Sequence, residues 1–259
     1  MLNVNINEKY VHDLILESLK NKKPLSVIRI GDGEISTLNY DLDRNLTNRF
    51  YLRHTGKIPN ESHMIEISNN LKSSILDANI IGISPNDIGE RSSNPVWGLT
   101  NSILYDLIKE NYESKKYCDM NLHYKLNKKG LLDNILKSID ELYILTPRDV
   151  VIQLQKKYPN IKKVHFIRIP GQYIFEEQPV IENYYPDTYN RILLDFKNKK
   201  FDGKLLLFGG GFIGKNLGVE FARMGGVSVD IGSVFDLFVG KVTRGKGKGP
   251  KSYIKSILE

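Results

Sequence analysis

The chain has 259 residues, 41% of them hydrophobic and 26% charged, with a net charge of +7, the make-up of a globular domain with a core rather than of a disordered or fibrous chain. A single cysteine, Cys118, excludes an internal disulfide and any cysteine-rich zinc site. The chain opens on no hydrophobic segment and holds no apolar run long enough to span a bilayer, which sets the expectation of a cytoplasmic protein.

Val11, Leu14, Ile15 and Leu19 recur at helical spacing and predict a helix over residues 8–21. The apolar run Leu25, Val27, Ile28, Ile30 predicts a buried strand that carries one charge, Arg29, and turns sharply into Gly31, Asp32, Gly33 and Glu34. An arginine inside a strand needs a partner or a ligand, and Asp32, Glu34 and a phosphate are its candidate partners. The two acids have two readings. Asp-Gly is a common turn, and acids at a helix start are ordinary capping. Acids at the carboxyl end of a strand in an α/β sheet also stand where ligands bind, and paired oxygen ligands suit Mg2+ or Mn2+.

A helix is predicted over residues 61–77 from Met64, Ile67, Leu71 and Ile75, and a short strand over 79–84, stopped by Pro85. A helix over about 97–109, a strand at 142–145, a helix beginning near Asp149 and a strand at 164–169 stopped by Pro170 follow. Further strands are expected at 204–208 and 227–231. Strands alternating with helices predict an α/β fold: a single Rossmann-like domain with a mostly parallel sheet and helices on both faces. It is expected to cover residues 1–241, with 242–259 as a basic, glycine-rich tail. Residues 40–60 and 171–190 lack periodicity and are candidate loops or lids, with His54 the one histidine expected in a loop.

Residues 204–214, KLLLFGGGFIG, run a strand into Gly209, Gly211 and Gly214, then a helix, with Asp230 at the end of the next strand. This is the arrangement of a dinucleotide fingerprint, with phosphate at a helix N-terminus. A full dinucleotide domain needs a second half, however, and only 45 residues follow Gly214. The turn therefore reads as one βαβ unit of a larger sheet, near a nucleotide or simply packing a helix. Ser233 is expected to cap a helix over 234–239, a second possible anion site together with Asp236.

RIGDGE (29–34), IRIP (167–170), LLLFGGGFIGK (205–215) and VDIGSVFDLFVGK (229–241) together resemble the GT-D-fold glycosyltransferases, over residues 24–241. The resemblance implies transfer of a sugar from a nucleotide-diphosphate donor to a glycan acceptor on a protein, lipid or polysaccharide. It matches Asp32 and Glu34 to the family's D-x-E motif, implying that they serve as the catalytic pair holding Mn2+ or Mg2+ and the donor diphosphate, with Arg29 assisting. Arg29, Gly31, Gly209, Gly211, Gly214, Ser233 and Asp236 are the expected substrate-binding residues. A UDP-sugar, UDP-glucose among the candidates, is the expected donor. Two other readings are an NAD(P)-dependent oxidoreductase using the 209–214 turn, and a non-enzymatic nucleotide or nucleic-acid binder using the basic tail. Nucleic acid is not the expected partner, because no aromatic interleaving accompanies that charge.

Overall fold

The computed structural model describes residues 2–84, 95–171 and 183–241. The basic tail and most of the irregular segment after Gly171 lie outside them. Seven strands form one sheet: β1 (Leu25–Arg29), β2 (Ile80–Ile83), β3 (Lys116–Asp119), β4 (Glu141–Thr146), β5 (Lys163–Arg168), β6 (Leu205–Phe208) and β7 (Val227–Asp230). Their order is β3-β2-β1-β7-β6-β4-β5, and every pairing is parallel. Parallel pairing requires crossovers, which the helices supply: α1 (Glu8–Asn21), α2 (Asp32–Leu38), α3 (Arg44–Thr55), α4 (Glu61–Asp77), α5 (Pro95–Ile108), α6 (Leu122–Lys128), α7 (Leu131–Lys137), α8 (Val151–Lys157), α9 (Tyr189–Lys197), α10 (Gly211–Arg223) and α11 (Val234–Phe238).

Alternation along each strand sends side chains to two separate cores. Ile28, Ile81, Leu206 and Phe208 join one cluster with Ile67 and Leu71 of α4 and Leu217 and Phe221 of α10. Leu25, Val27, Leu205, Leu207 and Val229 join the other with Ile15 of α1, Leu126 of α6 and Leu154 of α8. Helices on both faces of a single parallel sheet are what the sequence predicts, and the strands at 25–29, 80–83, 141–146, 163–168, 205–208 and 227–230 fall where expected. The 40–60 stretch is a correction. It holds α3, capped by the Asp43 carboxylate accepting from the Leu46 amide and closed by Gly56 at φ +76°. His54 is therefore helical, its ring stacked on Phe50 at 3.9 Å with Nδ1 bonded to the Phe50 carbonyl.

From β1 the chain runs outward through β2 and β3, then crosses to fill the other half of the sheet, ending with β7 beside β1. The reversal leaves a crevice between the carboxyl ends of β1 and β7. Crevices of this kind are where open α/β sheets bind ligands. No helix among the described residues is long and apolar enough to cross a membrane.

α10 lies tightly on β6 because Gly218 has no side chain: a Cβ there would stand 2.6 Å from the Phe208 ring, and Phe208 is fully buried. A helical Gly→Ala change gains about 1 kcal/mol of intrinsic propensity, whereas overpacking a closed core costs about 1–3 kcal/mol. Gly218→Ala should therefore lower unfolding free energy by up to roughly 2 kcal/mol, read as a lower urea midpoint at unchanged slope; a rise in the midpoint would show that Phe208 has room to yield.

Candidate active site

The crevice opens into a cleft of about 340 Å³ lined by Arg29, Asp32, Glu34, His123, Lys215 and Asp230, with the 209–211 turn on one wall. Its centre is a buried ion network. Asp230, at the end of β7, is 1% exposed. Its Oδ1 accepts from Arg29 Nη2 at 2.9 Å, and its Oδ2 lies 2.7 Å from Lys215 Nζ. Lys215, in the second turn of α10, is 3% exposed and also pairs with Glu34 Oε1 at 3.0 Å. The sequence offered Asp32 or Glu34 to Arg29. The structure corrects this: Arg29 takes Asp230, 201 positions away, and Glu34 takes Lys215.

Space for the arginine is cut from two neighbours. Its stem crosses Gly82 of β2, where a Cβ would approach Arg29 Cγ to 2.9 Å. Its head lies against Gly232, held at φ +47°, where a Cβ would come within 2.2 Å of Nη2. The guanidinium also donates to the carbonyls of Asp230 and Met120 and to His123 Nδ1 at 2.9 Å. Arginine only donates, so His123 Nδ1 is the acceptor and the neutral ring carries its proton on Nε2. Burial, reinforced by the adjacent Arg29 charge, lowers the His123 pKa well below its ordinary value.

Burial alone would strip Lys215 of its proton, but Asp230 and Glu34 outweigh it and raise its pKa. Burial likewise disfavours the Asp230 carboxylate, and Arg29 and Lys215 together overcome that, bringing it down to about 2. Next to Lys215, Asn216 ties α10 to its neighbours. It accepts from the Tyr189 hydroxyl at 2.6 Å and donates to Ser74 Oγ at 3.0 Å.

The other expected site residues divide. Asp32, at the first position of α2, has Oδ1 bonded to the Gly33 amide at 3.0 Å and pairs with no cation among the described residues. Gly31 precedes α2 and donates its amide to Glu34 Oε2 at 2.8 Å, so the capping reading holds for Glu34. Gly209 and Gly211 line the cleft. Gly211 has φ +58° and, among the described residues, nothing within 4 Å of an added Cβ. Gly214 instead packs one turn inside α10 against Tyr184 and Leu145. Asp236 lines the cleft and accepts from Arg148 Nε at 2.7 Å. Ser233 does not cap α11 through its side chain, and that helix has only five residues; its hydroxyl shares a 2.7 Å hydrogen bond with Tyr124 instead.

Lys215, His123, Gly82 and Gly232 are site residues that sequence reasoning missed. A lysine on a helix reads as solvated. The one signal was its place directly after the glycine turn, at the height of the sheet's carboxyl edge.

A divalent cation of the Mn2+ or Mg2+ type needs oxygens with free lone pairs. Asp32 offers one. Glu34 is less suited, because Oε2 holds the Gly31 amide and Oε1 holds the Lys215 ammonium, whose charge repels a cation beside it. No group of three or more His, Cys, Asp or Glu among the described residues is arranged to hold a metal. The pair Asp32 and Glu34, as it stands, does not fit a two-carboxylate metal site.

A family model for the GT-D fold-like domain matches residues 6–238. The chain belongs to the GT-D-like family. Among solved structures, this GT-D-like chain is similar to a glycosyltransferase (domain of unknown function 1792) from Streptococcus sanguinis, at 15% identity and TM-score 0.53, covering 98% of this chain and 92% of that one. It is also similar to a structure described as giving domain of unknown function 1792 a distinct glycosyltransferase fold, at 14% identity and TM-score 0.55, covering 100% of this chain and 90% of that one. A selenomethionine-substituted structure of the same domain type is similar at 14% identity and TM-score 0.55, covering 98% and 88%. At these identities the likeness is one of fold. No curated protein matches the chain. The GT-D fold also bears on the nicotinamide reading: the fingerprint acid, Asp230, is enclosed by Arg29 and Lys215 and is not presented to a ribose.

Asp230 contributes stability above its unfolded pKa and loses it as pH falls through the lowered folded value. The window therefore runs from the ordinary 3.8 down to about 2. Glu141, brought to about 2 by Lys204 and His165 despite partial burial, titrates in the same range at the far side of the sheet. The difference between variants isolates Asp230. At neutral pH Asp230→Asn should cost about 3–5 kcal/mol, since it strands two buried cations. Its melting temperature should also fall less steeply than the wild type's below pH 4; parallel profiles would place the acid sensitivity elsewhere.

Proposed function

We propose that this GT-D-like chain is a glycosyltransferase that takes a sugar from a nucleoside-diphosphate donor, a UDP-sugar being the first to try, and passes it to a glycan acceptor. The observation that carries this reading is the convergence, in one cleft at the sheet's switch point, of the α10 N-terminus with Arg29 and Lys215. The first amides of a helix lack intrahelical partners and favour anions, and here the turn ahead of them has no side chain to hold a diphosphate away. Sugar transfer leaves negative charge on the departing diphosphate. Fixed donors and cations aimed at that charge stabilise the transition state more than the ground state.

A second cavity lies on the other side of the same turn and shares Pro147, Gly209 and Gly211 with the cleft. Tyr51, Tyr184, Tyr185 and Phe212 line it. Aromatic walls beside a charged cleft suit the apolar face of a sugar ring. This supports an acceptor approaching from that side.

Asp32 is the cleft carboxylate that pairs with no cation among the described residues, which leaves its charge available to the substrate. Asp32→Asn should reduce transfer from the preferred donor at least a hundredfold, about 2.7 kcal/mol, while thermal unfolding stays near that of the wild type. Near-normal turnover would remove Asp32 from the mechanism. The assay is a screen of nucleotide sugars for hydrolysis and transfer, and a shift in melting temperature with NAD alone would overturn the glycosyltransferase reading.

Gly211 gives an independent check on where the donor lies. An alanine there pays for its left-handed backbone, about 1–2 kcal/mol, but meets no neighbour among the described residues. Gly211→Ala should weaken binding of the nucleoside diphosphate at least tenfold in calorimetric titration, beyond anything the modest stability loss explains. Unchanged affinity in the folded fraction would move the diphosphate away from the turn.

A further inference from the structure

The metal site implied by the D-x-E motif and the ion network compete for one carboxylate. Each Glu34 oxygen already accepts one bond, from Lys215 at Oε1 and from the Gly31 amide at Oε2, and a divalent cation placed on Oε1 would meet the Lys215 ammonium at contact distance, where like charges repel. Lys215 is built in: it is 3% exposed, it sits between two carboxylates at 3.0 and 2.7 Å, and Asn216 fixes the turn of helix that carries it. A lysine buried to this degree is rare unless its charge has a task or a partner.

We propose that Lys215, supported by Arg29, is the cation that receives the donor's diphosphate, so that a nucleoside diphosphate binds this chain without a divalent metal. This rests on the nucleotide-donor reading above. The ammonium has three N–H groups and two carboxylate partners, leaving one to donate. Arg29 places four contacts on Asp230, Met120 and His123 and keeps an Nη2 hydrogen. Both residues line the cleft at whose wall the α10 N-terminus opens. Lysine is a point charge suited to a phosphate oxygen. With Glu34 and Asp230 balancing the two cations, the pair stays charged and in place before the ligand arrives, so little reorganisation accompanies binding.

The test is calorimetric titration of the purified chain with UDP, GDP, CDP, ADP and dTDP, in EDTA and in excess Mn2+. The expected result is that one of them binds in EDTA, with a dissociation constant changed less than threefold by Mn2+. Lys215→Met should weaken that binding at least tenfold. Because this variant leaves two buried carboxylates facing one cation, it is paired with Lys215→Met/Glu34→Gln, which keeps the charge count and the fold, and which should show the same loss. Binding that appears only with Mn2+ overturns the proposal, most clearly if Lys215→Met with Mn2+ binds as well as the wild type. Absence of binding by every nucleotide under both conditions would instead overturn the donor reading, and this proposal with it.

Discussion

The Asp230 carboxylate is the point on which the rest of the site is built. It is sealed at the end of β7, and a sealed charge survives only with well-placed partners. Two cations meet it, one from the end of β1 and one from α10, so the first strand, the last strand and the helix between β6 and β7 are joined at one atom group. Each partner brings its own requirement. Arg29 needs Gly82 beneath its stem and Gly232 beside its head. Lys215 needs Glu34, and Glu34 in turn closes the first turn of α2 through the Gly31 amide. The loops that form the cleft walls are therefore consequences of one buried charge.

That network also sets the electrostatics of the cleft. Among the described residues, Arg29, Lys215 and Arg148 face Asp32, Glu34, Asp230 and Asp236, and three of those four acids are matched to a cation by direct contact. His123 adds no charge, because burial, reinforced by the Arg29 charge, keeps its ring neutral. A nearly balanced site does not draw anions from a distance; it recognises them at contact, where donors already stand in place. Selectivity then rests on geometry more than on net charge, in line with a cleft that holds its cations rigidly.

The strands were legible because each is a compact apolar run ended by glycine or proline, and β6, LLLF, cannot be mistaken. β3 was not legible, since KYCD is four residues with no apolar pattern and gains its place only by pairing with β2. α3 was hidden for a related reason: its sequence, RNLTNRFYLRHT, is polar, and its identity rests on the Asp43 cap and on Tyr51 reaching the core. At the site, Arg29 was conspicuous because a charge inside a strand is a local anomaly. Its partner was not, because contacts across 201 positions are made by the fold. Lys215 was overlooked for the opposite reason, since nothing local distinguishes a buried helical lysine from a solvated one.

The clamp at Asn216 has a mechanical consequence. Successive residues on a helix are separated by about 100° of rotation, so a side chain tied to α4 and α9 on one side fixes the angle of its neighbour on the other. α10 cannot roll without breaking a buried set of polar contacts, and it moves, if at all, as one slab with α4 and α9. The cation-bearing wall is thus an anvil. Any narrowing of the cleft around a ligand falls to the facing side, where α6, the five-residue α11 and the turn carrying Arg148 are short pieces.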